Sequence, residues 1–560
     1  MKKIPVLLAA ALLVIAGRAP AQTNAPVFDV RTYGAKGDGT ALDTDAINAA
    51  IAAAAARGGG TVFFPAGNYL SYSIHLQSHV ALHLDMGATI VAAEPSADLS
   101  LGYDAPEATA GPAGTDQFED FGHSHWHNSL IWGEGLTDIA ITGPGKIYGR
   151  GLSRGRDRRD LLPAERRRPK AEQPDVSLPA AARAAIAALP PMPFGYPGKD
   201  TLPAGVGNKA IALKNCRNVI FRDFTIEHGG HFGILATGVD NWTCDNLRID
   251  TNRDGIDFDC CQNVRVANCT VNSPYDDGIC PKASFALGYV RPTENVTITN
   301  CQVSGYDEGT LLDGTRQRQV MGAGGTGRIK LGTEANGGFR NITISNCVFE
   351  YCRGLALEEV DGGLMEDIVI SNLTMRDIVN APIYVRLGAR LRGPAPIAVG
   401  AARRIKIDQV VAHNVAAVHG VIVLGVPGHP VEDLSLTNLF IDFVGGGTAE
   451  QAAREVPDDG AAQRDYPEPR NHGTMPAWGL FARHVKNFDL SRVEFRVAQA
   501  DQRPVARFED VAGVTLDAVK FPRADGVPVL VLKNVTGLDV HHSAGLPDTS
   551  RPGATTSEQL

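Results

Sequence analysis

The chain has 560 residues, of which 44% are hydrophobic and 21% charged, and its formal net charge is −9. This composition supplies a large core, and the length allows two to four domains or a single repeat architecture. The negative charge argues against nucleic acid as a partner.

Residues 1–21 have the pattern of a signal peptide. Lys2 and Lys3 precede an apolar run at residues 4–16, and Ala19 and Ala21 flank Pro20 as at a cleavage site. The run is shorter than the about 20 residues that a membrane span needs. We therefore expect a secreted or periplasmic protein without membrane contact.

Residues 22–59 are predicted to form an N-terminal segment with a capping helix. Asp43 or Thr44 can begin a helix that ends at Gly58. Such a helix would cover unpaired strands at the start of the following structure.

From residue 60 onwards, short segments rich in Val, Ile and Thr alternate apolar and polar residues, as strands do. Segments that begin at Asn218, Asn241, Asn263 and Asn295 are spaced by 23, 22 and 32 residues. A period near 22 with insertions indicates a solenoid. We predict an all-β, right-handed parallel β-helix at residues 60–545, with Asn and buried Cys stacked in columns and room for one or two disulfides.

Three further segments complete the predicted organisation. Residues 154–204 are rich in Arg, Pro and Ala, and residues 445–478 are rich in Gly and Pro. Both are predicted to be long loop insertions. Residues 546–560 are predicted to be a C-terminal tail.

Acidic residues recur at one phase of the repeat. Thirteen residues after each starting Asn come His231, Asp254, Asp276 and Glu308. Equal phase predicts a column with neighbours about 4.8 Å apart, with Asp277 and Asp307 beside it. Facing carboxylates cannot all ionise, so one should keep its proton and act as a general acid beside a general base, as glycoside cleavage requires. Structural turn residues and a calcium site remain alternatives.

Two motifs in this region resemble those of glycoside hydrolase family 28, the polygalacturonase and rhamnogalacturonan hydrolase type, which are inverting enzymes on a right-handed β-helix. NRDGID resembles the family's Asn-Thr-Asp-Gly motif, with Arg253 in place of Thr, and PYDDGI resembles its Gly-Asp-Asp motif. The resemblance implies that Asp276 is the general acid, that Asp254 and Asp277 activate water, and that Asn252 orients them.

The chain also departs from the family. Thr326 stands where the family has a His, and the family's carboxylate-gripping Arg-Ile-Lys would fall at residues 356–358, which end in Glu358. We therefore expect Glu358 to face the substrate and to disfavour galacturonate there, which favours rhamnogalacturonan. An Arg-Ile-Lys does occur one coil earlier, and its Arg328 and Lys330 are expected at most at another subsite.

Residues 122–134 contain three His and two Trp. In an extended strand His123, His125 and His127 would share one face and Trp126 would take the other. Trp126 and His127 are therefore predicted sugar contacts, with plain structure and metal binding as alternatives.

These observations predict a secreted, monomeric glycoside hydrolase that acts on pectic poly- or oligosaccharides and needs no cofactor or metal. A polysaccharide lyase and a non-catalytic glycan-binding protein on the same fold remain alternatives.

Overall fold

The computed structural model describes residues 26–108, 114–120, 122–154, 202–318 and 325–560. The predicted signal peptide and most of the predicted insertion at 154–204 lie outside these residues. Within the described part of the chain, no helix is long and apolar enough to cross a membrane.

The chain winds into a parallel β-helix, in which each strand pairs with the equivalent strand one coil further on. Val219 pairs with Trp242, Trp242 with Val264, and Val264 with Val296, all in parallel. The offsets of 22 to 32 residues between these partners equal the spacings of the repeat. The predicted parallel β-helix is confirmed.

One face of the β-helix, here called the site face, begins as a separate six-stranded sheet. Its strands are Ile74–His75, Ser129–Glu134, Lys209–Lys214, Phe232–Thr237, Asp254–Asp259 and Ile279–Lys282. A bridge between Ile279 and Ile329 continues this face. The continuation consists of Lys330–Leu331, Leu355–Glu359, Ile383–Leu387 and Val421–Leu424.

The remaining strands form the other faces. In the first half of the chain they are Val27–Asp29, Asp38–Leu42, Gly60–Phe64, Gly67–Ser71, Val80–Leu84, Ala88–Ala92, Thr137–Thr142, Lys146–Tyr148, Arg217–Arg222, Thr225–Glu227, Asp240–Asp245, Arg248–Asp250, Gln262–Ala267, Thr270–Asn272, Thr293–Thr299 and Gln302–Ser304. In the second half they are longer: Phe339–Glu350, Leu364–Arg376, Ala401–Val415, Val431–Gly445, Leu480–Gln499, Ala506–Asp517, Leu530–His541 and Thr549–Gln559.

The recurrent Asn residues lie at turns. Asn218, Asn241, Asn295 and Asn341 have φ between 52° and 58°, a left-handed conformation that Asn tolerates better than most residues. The Asn241 amide donates to Asn218 at 2.9 Å, and the Asn341 amide donates to Asn295 at 2.8 Å. The repeat is therefore marked in sequence by the residue that its turn requires, and the side chains stack between coils as predicted.

The interior between the faces is filled by aliphatic and aromatic side chains, together with the cysteines. All nine cysteines are buried and free. They act as small apolar fillers, and neither of the disulfides for which the prediction left room is formed.

The predicted capping helix is Thr44–Ala56, which buries Ile47 and Ile51 against the first coil. Asp43 precedes it, but its carboxylate accepts from the Lys36 and Gly37 amides instead of capping the helix. Strands Val27–Asp29 and Asp38–Leu42 already pair with the first coil, so the β-ladder begins before residue 60.

The C-terminal residues, expected as a tail, include the strand Thr549–Gln559. It pairs antiparallel with Leu530–His541 and covers the last parallel strand. An exposed strand edge is a template for unwanted pairing, and this strand removes it.

Residues 446–479, here called the inserted segment, connect two long strands. The prediction of a long loop is refined by two short α-helices, Ala449–Ala452 and Gly460–Arg464, and a 3₁₀ turn at Pro469–His472. Shorter 3₁₀ turns elsewhere are Val30–Tyr33 and Asp116–Phe118.

Candidate active site

Three carboxyl groups converge at one edge of the site face. Asp254 begins the strand Asp254–Asp259, and Asp276 and Asp277 lie just before the next strand, Ile279–Lys282. One carboxylate oxygen from each of the three Asp lies within 4.8 Å of the others. The β-helix therefore brings together side chains that are more than 20 residues apart in sequence.

The predicted column is correct in principle but shifted in register. Ile256 pairs with Ile279, which aligns Asp254 with Asp277 instead of Asp276. Likewise Phe232, not His231, pairs with Asp254. Counting from the starting Asn misses these shifts because the turns between strands differ by one residue in length. His231 still lies close, with Nε2 3.8 Å from Asp254 Oδ2.

Glu308 is not part of the column, which corrects the prediction. The next strand on the site face is Lys330–Leu331, because the 32-residue repeat inserts a turn that carries Glu308 away. Its carboxylate contacts Arg154 at 2.7 Å and His228 at 3.0 Å, and accepts from the Asn252 amide at 3.4 Å. Glu308 thus lies behind Asn252, where it orients that amide.

Asp307, predicted beside the column, lies in the same turn as Glu308. Its backbone carbonyl accepts from the Thr310 hydroxyl at 2.6 Å. Asp307 does not line the pocket described below, so the structure does not place it in contact with a substrate there.

Asp277 is a buried but charged carboxylate. It accepts from Arg328 Nε at 2.8 Å and contacts the Lys330 ammonium directly, with only 1% of its side chain exposed. Burial acts to raise the pKa of Asp277, but the charges of Lys330 and Arg328 outweigh burial and hold it well below its ordinary value. Asp277 is therefore ionised across the whole range in which the protein would work.

Asp254 is shifted in the opposite direction. Only 3% of its side chain is exposed. Burial, followed by the negative charges of Asp257 and Asp276, raises the pKa of Asp254 well above its ordinary value. A carboxylic acid that keeps its proton thus lies beside a carboxylate that has lost it.

Asp276 is the most accessible of the three, with 24% of its side chain exposed, and Arg253 Nη2 lies 2.5 Å from its carboxylate. Arg253 occupies the position at which family 28 has Thr. In this chain that position supplies a cation directly to the carboxylate that the resemblance makes the general acid.

The carboxyls open into a pocket of about 310 Å³. Asp254 lies behind its wall. The lining side chains are Asn252, Arg253, Tyr275, Asp276, Asp277, Thr326, Arg328, Lys330, Arg353, Tyr466, Glu468, Arg470 and Asn471. The last four come from the inserted segment, which therefore encloses the site instead of leaving an open groove.

The expectation that cations are missing beside the carboxyls is corrected. Arg328 and Lys330 line this pocket itself and not another subsite. Glu358 is fully buried and does not line the pocket, because it lies beneath Arg328, 3.6 Å from Nη2, and accepts from Thr333 Oγ1 at 3.2 Å. Burial raises the pKa of Glu358 to about 7. The structure gives Glu358 no contact with a substrate.

Trp126 does not present a free face, which corrects the predicted sugar contact. Its ring is 1% exposed and packs with Phe232 and Leu235. Its indole N–H donates to Thr237 at 2.9 Å, and the Lys214 ammonium lies 4.3 Å from the ring centroid. Residues 122–128 form turns and not the extended strand on which the prediction depended.

His127 is also directed away from the pocket. Its Nε2 lies 3.1 Å from Glu134 and 3.5 Å from Glu107, and its ring packs on Trp132 with centroids 4.0 Å apart. The two other His of this stretch are buried against Asp257 and Asp116. The cluster is structural.

We expect Trp126→Ala to lower the free energy of unfolding by about 3–5 kcal/mol, because it leaves a large cavity, while substrate affinity measured under native conditions stays unchanged. Denaturant unfolding with a parallel binding assay checks this. A variant of normal stability that binds substrate poorly would restore the predicted sugar contact.

The residues that sequence reasoning missed belong mostly to the inserted segment. Tyr466 and Glu468 line the pocket from a stretch whose sequence shows only Gly and Pro enrichment. Arg353 joins them from a turn before Leu355–Glu359. No periodic pattern connects these positions to the Asp residues, so no sequence signal could have found them.

Within the described residues, three groups of side chains are spaced to hold a metal ion: Glu107 with His127 and Glu134; His123 with Asp254 and Asp257; and the three Asp of the site. In the last group Asp276 and Asp277 already contact Arg253 and Lys330. In the second group Lys282 lies 3.7 Å from Asp257. Fixed cations at these carboxylates oppose a metal ion, so neither group at the site fits calcium.

Comparisons with known proteins agree with the fold and the site. Residues 27–105 match the family described as "Rhamnogalacturonase A/epimerase, pectate lyase-like", and residues 204–317 match "Right handed beta helix region". The second match confirms the predicted handedness.

An exo-poly-alpha-D-galacturonosidase of Dickeya chrysanthemi is 26% identical over 379 residues, which are 64% of this chain and 57% of that protein. The chain thus spans little more than half the length of this curated relative.

Two solved structures share the fold. A family 28 exopolygalacturonase of Yersinia enterocolitica is 20% identical with a TM-score of 0.60, covering 87% of this chain and 78% of that one. A hyperthermoactive exopolygalacturonase of Thermotoga maritima is 19% identical with a TM-score of 0.52, covering 75% and 87%. Together with the motifs, these findings confirm the resemblance: the chain is a family 28-like right-handed parallel β-helix protein.

Proposed function

We propose that the protein is an exported glycoside hydrolase that removes sugar units from the ends of pectic oligosaccharides. The observation that carries this proposal is the convergence of Asp254, Asp276 and Asp277 in one pocket with opposite pKa displacements. Hydrolysis of a glycosidic bond needs a proton donor and a base side by side, and this arrangement supplies both.

The proposed roles follow from charge and exposure. Asp277, kept ionised by Arg328 and Lys330, is the base that activates water. Asp254 keeps a proton but is buried, whereas Asp276 reaches into the pocket. Asp276 therefore delivers the proton to the leaving oxygen, and Asp254 beside it holds the proton in the empty site. This places Asp254 on the acid side and not, as the resemblance implied, on the base side.

Aryl glycosides separate these roles, because a good leaving group needs no general acid. Asp276→Asn should retain far more of its activity on a nitrophenyl galacturonide than on digalacturonate, whereas Asp277→Asn should lose both activities. Equal losses for the two substrates in Asp276→Asn would contradict the acid role.

Action at chain ends is supported by the inserted segment, which encloses the pocket, and by the exo-acting relatives named above. The inverting outcome rests on the resemblance alone, because the nearest oxygens of the three carboxyls lie within 4.8 Å and inverting enzymes usually separate theirs by about 6.5–9.5 Å. Proton NMR of the first product anomer determines it.

The proposal is tested by digestion of galacturonan and rhamnogalacturonan oligosaccharides of defined length, with product analysis. Single sugar units with new reducing ends are expected from the wild type and from Asp313→Asn, a matched control at an exposed Asp in a turn outside the pocket. An unsaturated, ultraviolet-absorbing product would identify a lyase. Binding without any cleavage would identify a glycan-binding protein.

A further inference from the structure

The pocket carries an excess of positive charge, although the whole chain is negative. Its lining includes five cationic side chains, Arg253, Arg328, Lys330, Arg353 and Arg470, and three acidic ones, Asp276, Asp277 and Glu468. Two positive charges are therefore not neutralised by the wall itself. A concave site with excess charge of one sign favours a ligand of the opposite sign.

Four of these cations already have acidic partners. Arg253 contacts Asp276 at 2.5 Å, and Arg328 and Lys330 contact Asp277. Arg353 Nη1 lies 2.8 Å from Glu468 Oε2, which also accepts from Arg328 Nη2 at 3.1 Å. Arg470 is exposed and has no ion-pair partner in the part of the chain that the structure describes.

The backbone that presents Arg470 is held in place on both sides. Two residues before it, Glu468 is 2% exposed and accepts from Arg328, Arg353 and, at 2.9 Å, from Asn380. Two residues after it, His472 Nε2 lies 2.9 Å from the Tyr384 hydroxyl.

The turn itself is closed as well, because the Gly473 amide donates to the Arg470 carbonyl at 3.1 Å. A long side chain on a fixed turn at a pocket wall can act as a ligand group at little cost in backbone entropy.

We propose that Arg470, assisted by Arg353, binds the carboxylate of a uronic acid unit in the substrate. The inserted segment thus supplies the anion recognition that the sequence lacks at residues 356–358. A guanidinium suits this task because its planar donors match a carboxylate. The inference deepens the proposed function: it predicts that the pocket accepts a free galacturonate in preference to its methyl ester.

The test combines two protein variants with two ligands. Isothermal titration calorimetry measures binding of digalacturonate and of its methyl ester to Asp276→Asn, a background that prevents turnover. We expect the acid to bind roughly tenfold more tightly than the ester, as one partly solvated charge-assisted hydrogen bond provides. Adding Arg470→Gln should abolish this preference, whereas the affinity for the ester should stay unchanged.

Arg464→Gln is the matched control, because Arg464 is an exposed Arg of the same segment that does not line the pocket. It should leave the preference for the acid intact. An unchanged preference in Arg470→Gln, or an equal loss in Arg464→Gln, would overturn the assignment.

Failure of this inference can be told apart from failure of the proposed function. If wild-type protein hydrolyses galacturonan but Arg470→Gln keeps the same preference, the carboxylate site is refuted and the hydrolase stands. If Arg470 determines binding but no product forms, the carboxylate site stands and the hydrolase is refuted.

Discussion

Asp277→Asn should abolish turnover and also destabilise the fold. Turnover is expected to fall about 10²- to 10⁴-fold, the usual contribution of acid–base catalysis. In addition, the neutral amide leaves Arg328 and Lys330 without the carboxylate that they share, and breaking a buried ion pair costs about 3–5 kcal/mol. Steady-state kinetics and denaturant unfolding at pH 7 measure the two effects.

Asp276→Asn provides the comparison. It should lose a similar factor in turnover on oligosaccharides, but its stability should change by less than about 1 kcal/mol, because its ion pair with Arg253 is partly exposed to solvent. Equal stability losses in the two variants would show that Arg328 and Lys330 do not depend on Asp277.

The stability deficit of Asp277→Asn should also depend on pH. A carboxyl whose folded pKa is lowered stabilises the protein above its unfolded pKa of about 4, and this contribution is lost as the pH falls further. The gap between wild type and Asp277→Asn should therefore be largest at neutral pH and shrink in acid.

Asp254→Asn should behave in the opposite way and stabilise the protein at neutral pH while reducing turnover. The folded pKa of Asp254 is raised, so the native state favours the protonated form and stability falls as the pH rises above the unfolded pKa of about 4. Asn resembles the protonated carboxyl and does not titrate. Denaturant unfolding should show an advantage of the variant that grows with rising pH.

The control for this experiment is Asp313→Asn, an exposed substitution of the same kind. It should match the wild type at each pH. Should Asp254→Asn be destabilised at pH 7, Asp254 would have to be ionised in the folded protein.

The coil architecture could be predicted because the turns dictate their own sequence. Asn at left-handed turn positions and Val, Ile and Thr in the strands repeat with every coil, so spacing alone revealed the β-helix. The same spacing brought Asp254 to Asp276 and Asp277. It could not resolve the one-residue register, since a turn can lengthen by one residue without changing the pattern.

The chemistry around the carboxyls could not be predicted in this way. Lys330 and Arg328 meet Asp277 across a 32-residue repeat that carries an insertion, and Glu468 arrives from a segment about 190 residues further along the chain. Trp126 failed for a related reason: an alternating pattern was taken for a strand where the chain turns. Non-local contacts of irregular segments leave no periodic signal.

The central claim is that the three neighbouring carboxyls divide their protons, with Asp254 protonated and Asp277 charged. Infrared difference spectroscopy at pH 7, comparing wild type with Asp254→Asn, tests it most directly. The account predicts that the wild type shows the stretching band of a protonated carboxyl that the variant lacks and that Asp313→Asn retains. A wild-type spectrum in which Asp254→Asn removes only an ionised carboxylate band would contradict it.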